Sequence, residues 1–214
     1  MKSAPVVIVL AAGAGSRFQG SSHKLTQSFG ESTVLGCTLA NVIASHLPVV
    51  VVTTSALRDL AKSWVATQDV VVVPQVQGKD PNSHLGMGYS IAAGVRARGD
   101  ASGWLVLPGD MPLVKPSTLQ LVARALNSHS VAYAQHRGLR GHPVAFSAEL
   151  FAELATLTGD EGARRVVSRY PAAAVEVGDA GVLMDLDTEQ DLETLRQAGT
   201  DPEDPATNPR SLLP

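Results

Sequence analysis

VVIVLAAGAGSRFQGSSHKL, residues 6–25, decides how the rest of the chain is read. The run Val6–Leu10 is apolar without alternation, which marks a strand buried on both faces, as in a parallel sheet covered by helices. It stops at Ala11-Ala12-Gly13-Ala14-Gly15, followed by Ser16, Arg17 and Lys24. Residues without bulky side chains let a backbone approach a ligand closely. Their N–H groups can cradle a phosphate or a base edge. Arg17 and Lys24 add the fixed positive charge that suits a polyphosphate. The loop by itself leaves two readings open: a nucleotide cradle, or a plain strand–helix turn that needs glycine for tightness alone.

Two other glycine-rich loops are excluded. A P-loop ends in Gly-Lys-Ser/Thr, whereas Gly15 is followed by Ser16-Arg17. A dinucleotide fingerprint needs a third glycine where Phe18 stands, and an acidic end to the second strand. The second apolar run, PVVVVTTS at 48–55, ends in threonines and serine.

Working outward, apolar runs rich in valine alternate with helical patterns. Strands are expected at 5–10, 48–53, 69–73, 103–107, 130–135, 142–146, 172–177 and 181–184. Helices are expected at 33–45, 55–66, 86–98, 116–127, 147–156, 161–169 and 188–198. The alternation predicts an α/β fold with a Rossmann-like, mostly parallel sheet and helices on both faces. The short gap between 130–135 and 142–146 predicts a small antiparallel excursion in the second half. One domain is expected over 1–198. The tail GTDPEDPATNPRSLLP, 199–214, carries four prolines and little to bury, and is expected to be disordered.

Composition bounds the function. The 214 residues carry a net charge of −3, which argues for neither nucleic acid nor a membrane surface. The single cysteine, Cys37, excludes an internal disulfide and any multi-cysteine metal site. It falls in an apolar helical stretch and is expected in the core. No segment approaches the roughly 20 apolar residues that span a bilayer. The N-terminal run leads straight into the glycine loop, so it reads as a strand and the protein as cytoplasmic.

Ligands of open parallel sheets bind at the carboxyl ends of the strands, and three unusual stretches fall there: 10–17, 74–90 and 108–113. PGDMPLV, 108–114, puts Asp110 at the end of the WLVL strand. A carboxylate near phosphates suits Mg²⁺, which keeps substrate oxygens and waters around few protein ligands. The other reading of Asp110 is a helix cap, but Pro116 and Ser117 already supply start signals for the helix at 116–127. GMGYSIAAG, 86–94, joins a glycine turn to a helix, and Ser90 offers a hydroxyl for base or ribose, or a cap. In LMDLDTEQDL, 183–192, Asp185 and Asp187 alternate along an extended segment and point the same way. Asp187 is the metal candidate of the two, and Thr188 with Asp191 forms a capping box for the last helix. RGLRGHPVAF, 137–146, offers Arg140 and His142 to an anionic second substrate, though His142 reads equally well as a strand-entry residue. In GDEGARRVV, 159–167, Asp160 could cap a helix and Arg164 contact a phosphate. The remaining histidines show no paired metal spacing.

The set LAAGAGSRF with Lys24, GMGYSIAAGV, PGDMPLV, RGHPVAF, GDEGAR and DLDTEQDL, in this order, resembles the molybdenum cofactor cytidylyltransferases of the nucleotidyltransferase superfamily. The likeness extends to about residue 198. The related guanylyltransferases typically read LAGG and end the loop in DKG, where this chain has LAAG and HKL. The resemblance implies transfer of CMP from CTP to the phosphate of molybdenum-molybdopterin, with release of pyrophosphate. It implies that Leu10, Ala11, Ala12, Gly13 and Ser90 hold base and ribose, that Gly15 belongs to the same cradle, and that Arg17 and Lys24 bind the triphosphate. Asp110 and Asp187 would hold Mg²⁺ or Mn²⁺. A molybdoenzyme or its maturation chaperone would receive the product. The segment FQGSSH between Arg17 and Lys24 is longer than the superfamily's usual spacing. Another phosphorylated acceptor, GTP in place of CTP, and a non-catalytic cofactor-delivery protein are the alternatives.

Overall fold

The computed structural model describes residues 4–13, 15, 18, 22–75 and 85–199. Arg17 and most of the tail at 199–214 lie outside the described residues. Strand β1 (Val6–Ala11) is followed by a hairpin of β2 (Ser28–Phe29) and β3 (Ser32–Thr33), then α1 (Val34–Ala44) and β4 (Val49–Thr53). Next come α2 (Arg58–Lys62), β5 (Val70–Val72), α3 (Met87–Ala97), β6 (Gly103–Pro108) and α4 (Pro116–Ala125). The second half holds β7 (Val131–His136), β8 (Leu139–Ser147), α5 (Phe151–Leu154), α6 (Arg164–Arg169), β9 (Ala172–Glu176) and α7 (Glu189–Gly199).

Seven strands form one sheet in the order β5-β4-β1-β6-β8-β7-β9. Only β8 runs against its neighbours; β1 pairs in parallel with β4 and β6, and β7 with β9. The antiparallel excursion is this one strand. A two-residue turn, Arg137-Gly138, with φ of 50° and 78°, connects it to β7.

The unbroken apolar runs are explained by burial on both faces. Val7, Val9, Leu105 and Leu107 face one side with Leu35, Leu39 and Leu119. Ile8, Val50, Val52 and Val106 face the other with Ile91, Val95, Leu154 and Val166. Burying such side chains is worth about 1.5–3 kcal/mol each before chain entropy is counted, so the sheet centre dominates stability.

Several expected elements differ. The strand expected at 181–184 is a 3₁₀ turn, Ala180–Leu183. Asp179 caps it by accepting from Gly181 N at 3.0 Å, and Gly181 lies against the backbone of Leu113. The helix expected at 55–66 forms only over Arg58–Lys62, flanked by Leu57 with no side-chain cap. The one expected at 147–156 divides into a 3₁₀ turn, Ala148–Leu150, and α5. Ser117 sits inside α4 and caps nothing; Lys115 flanks the helix and Pro116 begins it. Asp160 does not cap α6, whose flanking residue is Ala163. Cys37 is half-buried and donates its thiol to Phe29 O at 3.3 Å.

Candidate active site

The carboxyl end of β1 is fixed by its neighbours. Gly109 N donates to Leu10 O at 2.9 Å, and the buried Thr53 hydroxyl at the end of β4 donates to Ala11 O at 3.3 Å. Leu10 and Ala12 are half-buried, Ala11 is buried and Gly13 is exposed, so backbone rather than side chain is offered here. Gly15 takes a φ of +61°. Its Cβ, if it had one, would lie 3.4 Å from Lys24 Cγ, so the lysine stem packs under the turn.

His23 ties the two ends of this loop together. Its Nδ1 accepts from Leu25 N at 3.2 Å, capping the 3₁₀ turn Lys24–Thr26, and its Nε2 lies 3.1 Å from Gly13 O. The Nε2–H tautomer satisfies both bonds. Nothing in the sequence but its place beside Lys24 singles His23 out.

That turn delivers Lys24 to the end of β6. Its Nζ donates to Asp110 Oδ2 at 2.5 Å, to Leu186 O at 2.7 Å and to Asp187 Oδ1 at 3.3 Å. The Lys24 and Asp110 side chains are 13% and 12% exposed, so water screens this pair poorly, while Asp187 is 31% exposed. Asp110 stands on a braced loop: α1 supplies Thr38 to Gly109 O at 3.0 Å and Asn41 to Pro112 O at 2.8 Å. Asp110 does no capping. The cap of α4 falls instead to the buried Asp179, which accepts from Lys115 N at 2.9 Å and Thr118 Oγ1 at 2.6 Å. Nothing local in the sequence marks Asp179, because its partners are more than 60 residues away.

Leu186 explains how Asp187 is presented. Its side chain is fully buried and its N–H donates to Asp110 O at 3.2 Å, so the flanking Asp185 and Asp187 are turned out of the core. Thr188 N donates to Asp191 Oδ2 at 2.6 Å and Asp191 N donates to Thr188 Oγ1 at 3.2 Å, a reciprocal capping box that ends the segment. Burial, and then the charge of Asp110, push the Asp185 carboxyl above the usual carboxylate range.

Ser90 and the two hairpin residues stand apart from this cluster. The Ser90 hydroxyl is buried and donates to Gly86 O at 3.2 Å within α3. Gly86 has a φ of 152°, and a Cβ there would fall 2.6 Å from Gly159 C and O and against the Asp160 carboxylate. Gly88 N donates to Gly159 O at 2.8 Å. The GMG and GDEG stretches therefore interlock, a relation that nothing in the sequence signals. Arg140 lays its guanidinium over the Tyr133 ring, 4.6 Å from the centroid. Burial lowers the His142 pKa, Asp185 opposes this, and Arg140 adds to it. The Asp185 field thus reaches both the Lys24 cluster and the β7–β8 hairpin.

The donor set fits a hard divalent cation. Asp110 Oδ1 is buried and has no hydrogen-bond partner among the described residues. Such an orphan oxygen normally costs 1–3 kcal/mol, or more for a charged group. Among the described residues no group of three or more His, Cys, Asp or Glu side chains gathers as a metal cluster. One or two carboxylates with the rest of the shell left to substrate phosphates and water is the Mg²⁺ pattern. No helix among the described residues is long and apolar enough to cross a membrane.

Known proteins share part of this sequence and its fold. The chain is 32% identical over 122 residues to the purine catabolism protein PucB of Bacillus subtilis, a stretch covering 55% of this chain and 59% of PucB. It thus spans about three-fifths of that relative's length. Rv0371c of Mycobacterium tuberculosis H37Rv superposes with a TM-score of 0.75 at 28% identity, over 91% of this chain and 99% of that one. A manganese complex of Rv0371c superposes with a TM-score of 0.72 at 25% identity, again over 91% of this chain and 99% of that one. The profile of the MobA-like NTP transferase domain matches residues 7–175, which include most of the sheet, Lys24 and Asp110 but not Leu186 and Asp187, and the chain belongs to that family.

Proposed function

We propose that this chain is a nucleotidyltransferase that joins the CMP moiety of CTP to the phosphate of molybdenum-molybdopterin, through a single domain over residues 1–198. The carrying observation is Lys24 Nζ held between Asp110 and Asp187 at the carboxyl ends of β1 and β6, beside a buried Asp110 oxygen without a partner among the described residues. The LAAG and HKL stretches favour CTP over GTP.

In the proposed reaction an acceptor phosphate oxygen attacks the α-phosphorus of CTP, and the bond to the β-phosphate oxygen breaks to release pyrophosphate. The nucleophile is already an anion, so no strong general base is needed. The difficulty is bringing two anions together and stabilising the charge that passes to the leaving group. The turn at Leu10, Ala11, Ala12, Gly13 and Gly15 presents backbone groups to the nucleotide, with Ser90 and the interlocked GMG turn framing the base side. Lys24 is long enough to exchange a carboxylate for a phosphate, and Arg17 adds a second cation for the pyrophosphate. Asp110 and Asp187 would hold Mg²⁺ or Mn²⁺, which would neutralise phosphate charge and orient the reacting groups; the manganese complex of Rv0371c supports a metal here. Arg140 and His142 would face the acceptor's anion, and a molybdoenzyme or its maturation chaperone would take the product. A cytoplasmic location fits this chemistry.

The test is Mg²⁺-dependent pyrophosphate release, comparing CTP, GTP, ATP and UTP, with and without molybdenum-loaded molybdopterin. Release with CTP only when the acceptor is present is expected. Release with GTP instead would overturn the base assignment, and none with any nucleotide would turn the reading to another acceptor or to cofactor delivery.

A further inference from the structure

Lys24 occupies the place a metal would be drawn to. Its three ammonium protons serve Asp110 Oδ2 at 2.5 Å, Leu186 O at 2.7 Å and Asp187 Oδ1 at 3.3 Å, so one side chain uses its whole donor capacity on this cluster. A divalent ion approaching the same two carboxylates meets a like charge at close range, in surroundings that screen it poorly. The cluster is nonetheless incomplete, because Asp110 Oδ1 receives no hydrogen bond from any described residue. The ammonium offsets the charge without saturating the oxygens, which leaves them fit to accept a stronger cation.

The lysine is also mechanically joined to the nucleotide turn. Its Cγ lies 3.4 Å from where a Gly15 Cβ would stand, and the preceding His23 is bound to Gly13 O at 3.1 Å. A ligand that moves the backbone at Gly13 and Gly15 therefore acts on the base of the Lys24 side chain.

We infer that Lys24 is an internal counter-ion that keeps free divalent metal off Asp110 and Asp187 until a nucleotide polyphosphate draws the ammonium away. The inference rests on the nucleotidyltransferase reading and adds an order to it: metal enters with the nucleotide rather than ahead of it. Polyphosphate offers the ammonium an alternative anionic partner and vacates the carboxylates in the same event. Metal and nucleotide binding are then positively coupled, and by linkage each strengthens the other equally.

The test uses Mn²⁺ alone, titrated into the nucleotide-free full chain, with free ion followed by electron paramagnetic resonance. Lys24→Met should bind Mn²⁺ at least ~10-fold more tightly than wild type, and Lys24→Arg, which keeps the charge, should stay weak. Equal or weaker binding by a folded Lys24→Met protein would overturn the inference. A second readout needs no variant: millimolar Mn²⁺ should raise acetylation of Lys24 by acetic anhydride in wild-type protein, relative to the exposed Lys62 in α2. Unchanged Lys24 labelling with Mn²⁺ bound would also overturn it. Absence of CTP binding would undermine the proposed function instead, without altering either Mn²⁺ comparison.

Discussion

The turn that carries Lys24 follows β1 and the turn at Gly86 leads into α3, and different forces hold them. The first is fastened by side chains: His23 to Gly13 O, and Lys24 to two carboxylates and Leu186 O. The second is fastened by the lack of them, since Gly86 and Gly88 admit the backbone of Thr158 and Gly159 where any Cβ would collide. A turn held by charge can release its partners when a competing ion arrives. A turn held by backbone fit cannot yield without unfolding locally. In the proposed function the chemistry accordingly falls to the first and the framing of the nucleotide to the second.

The sharpest way to break this contrast is to remove charge from the first turn's partner. Asp110→Asn should lower turnover by at least ~100-fold, the range for losing a major electrostatic stabiliser. Steady-state pyrophosphate release measures it, with circular dichroism to show the variant folded. Full activity in folded Asp110→Asn would remove the metal assignment and with it the distinction between the turns. The matching change in the second turn should act on stability first. Gly86→Ala meets both a φ of 152° and backbone at 2.6 Å, and should cost about 2–3 kcal/mol in chemical denaturation. Gly159→Ala provides the control: its φ is +67° but its Cβ would have open space, so only the left-handed penalty of about 1 kcal/mol is expected. Equal losses at the two positions would show that backbone conformation, not interlocking, sets the cost.

The same contrast explains what could be read from sequence. The sheet was legible because Val6–Leu10 and the WLVL run are apolar at every position, which only burial on both faces explains. Lys24 and Asp110 stood out as charges at the ends of those runs. Gly159 could not stand out as the partner of Gly86, because contact across some 70 residues leaves no local signature and glycine looks the same in a tight turn as in an interlock. Asp179 was missed for a related reason: its partners Lys115 and Thr118 lie far away in sequence, while Pro116 and Ser117 looked like a sufficient start for α4. The 3₁₀ turn at Ala180–Leu183 was read as a strand because a short apolar run has no period of its own, and the Asp179 cap decides its shape.

A smaller effect is expected where the first turn's partner is anchored. Thr188→Ala removes the hydroxyl half of the capping box that ends the Asp185–Asp187 segment, and should cost about 1 kcal/mol. Thermal unfolding measures the loss. If Asp187 owes its position to Leu186 rather than to the cap, Mn²⁺ binding by this variant should stay close to wild type. A clear loss of Mn²⁺ affinity would assign the positioning to the box.

The smallest effect tests whether the side of α1 behind the Lys24 turn is held by packing alone. Cys37 lies there, half-buried, with its thiol donating to Phe29 O, and burial pushes its pKa above the ordinary value. The folded thiol therefore keeps its proton to higher pH than the unfolded one, whose pKa is about 8.5. The sign follows from linkage: the thiol's contribution is fully present below the unfolded pKa and is lost as pH rises through the folded pKa. Wild type should lose stability relative to Cys37→Ala as denaturation is repeated from pH 7.5 upward, by less than the loss expected at Thr188. A difference between the two proteins that stays constant over that range would mean that water reaches the thiol, and that charge as well as packing can act behind the turn.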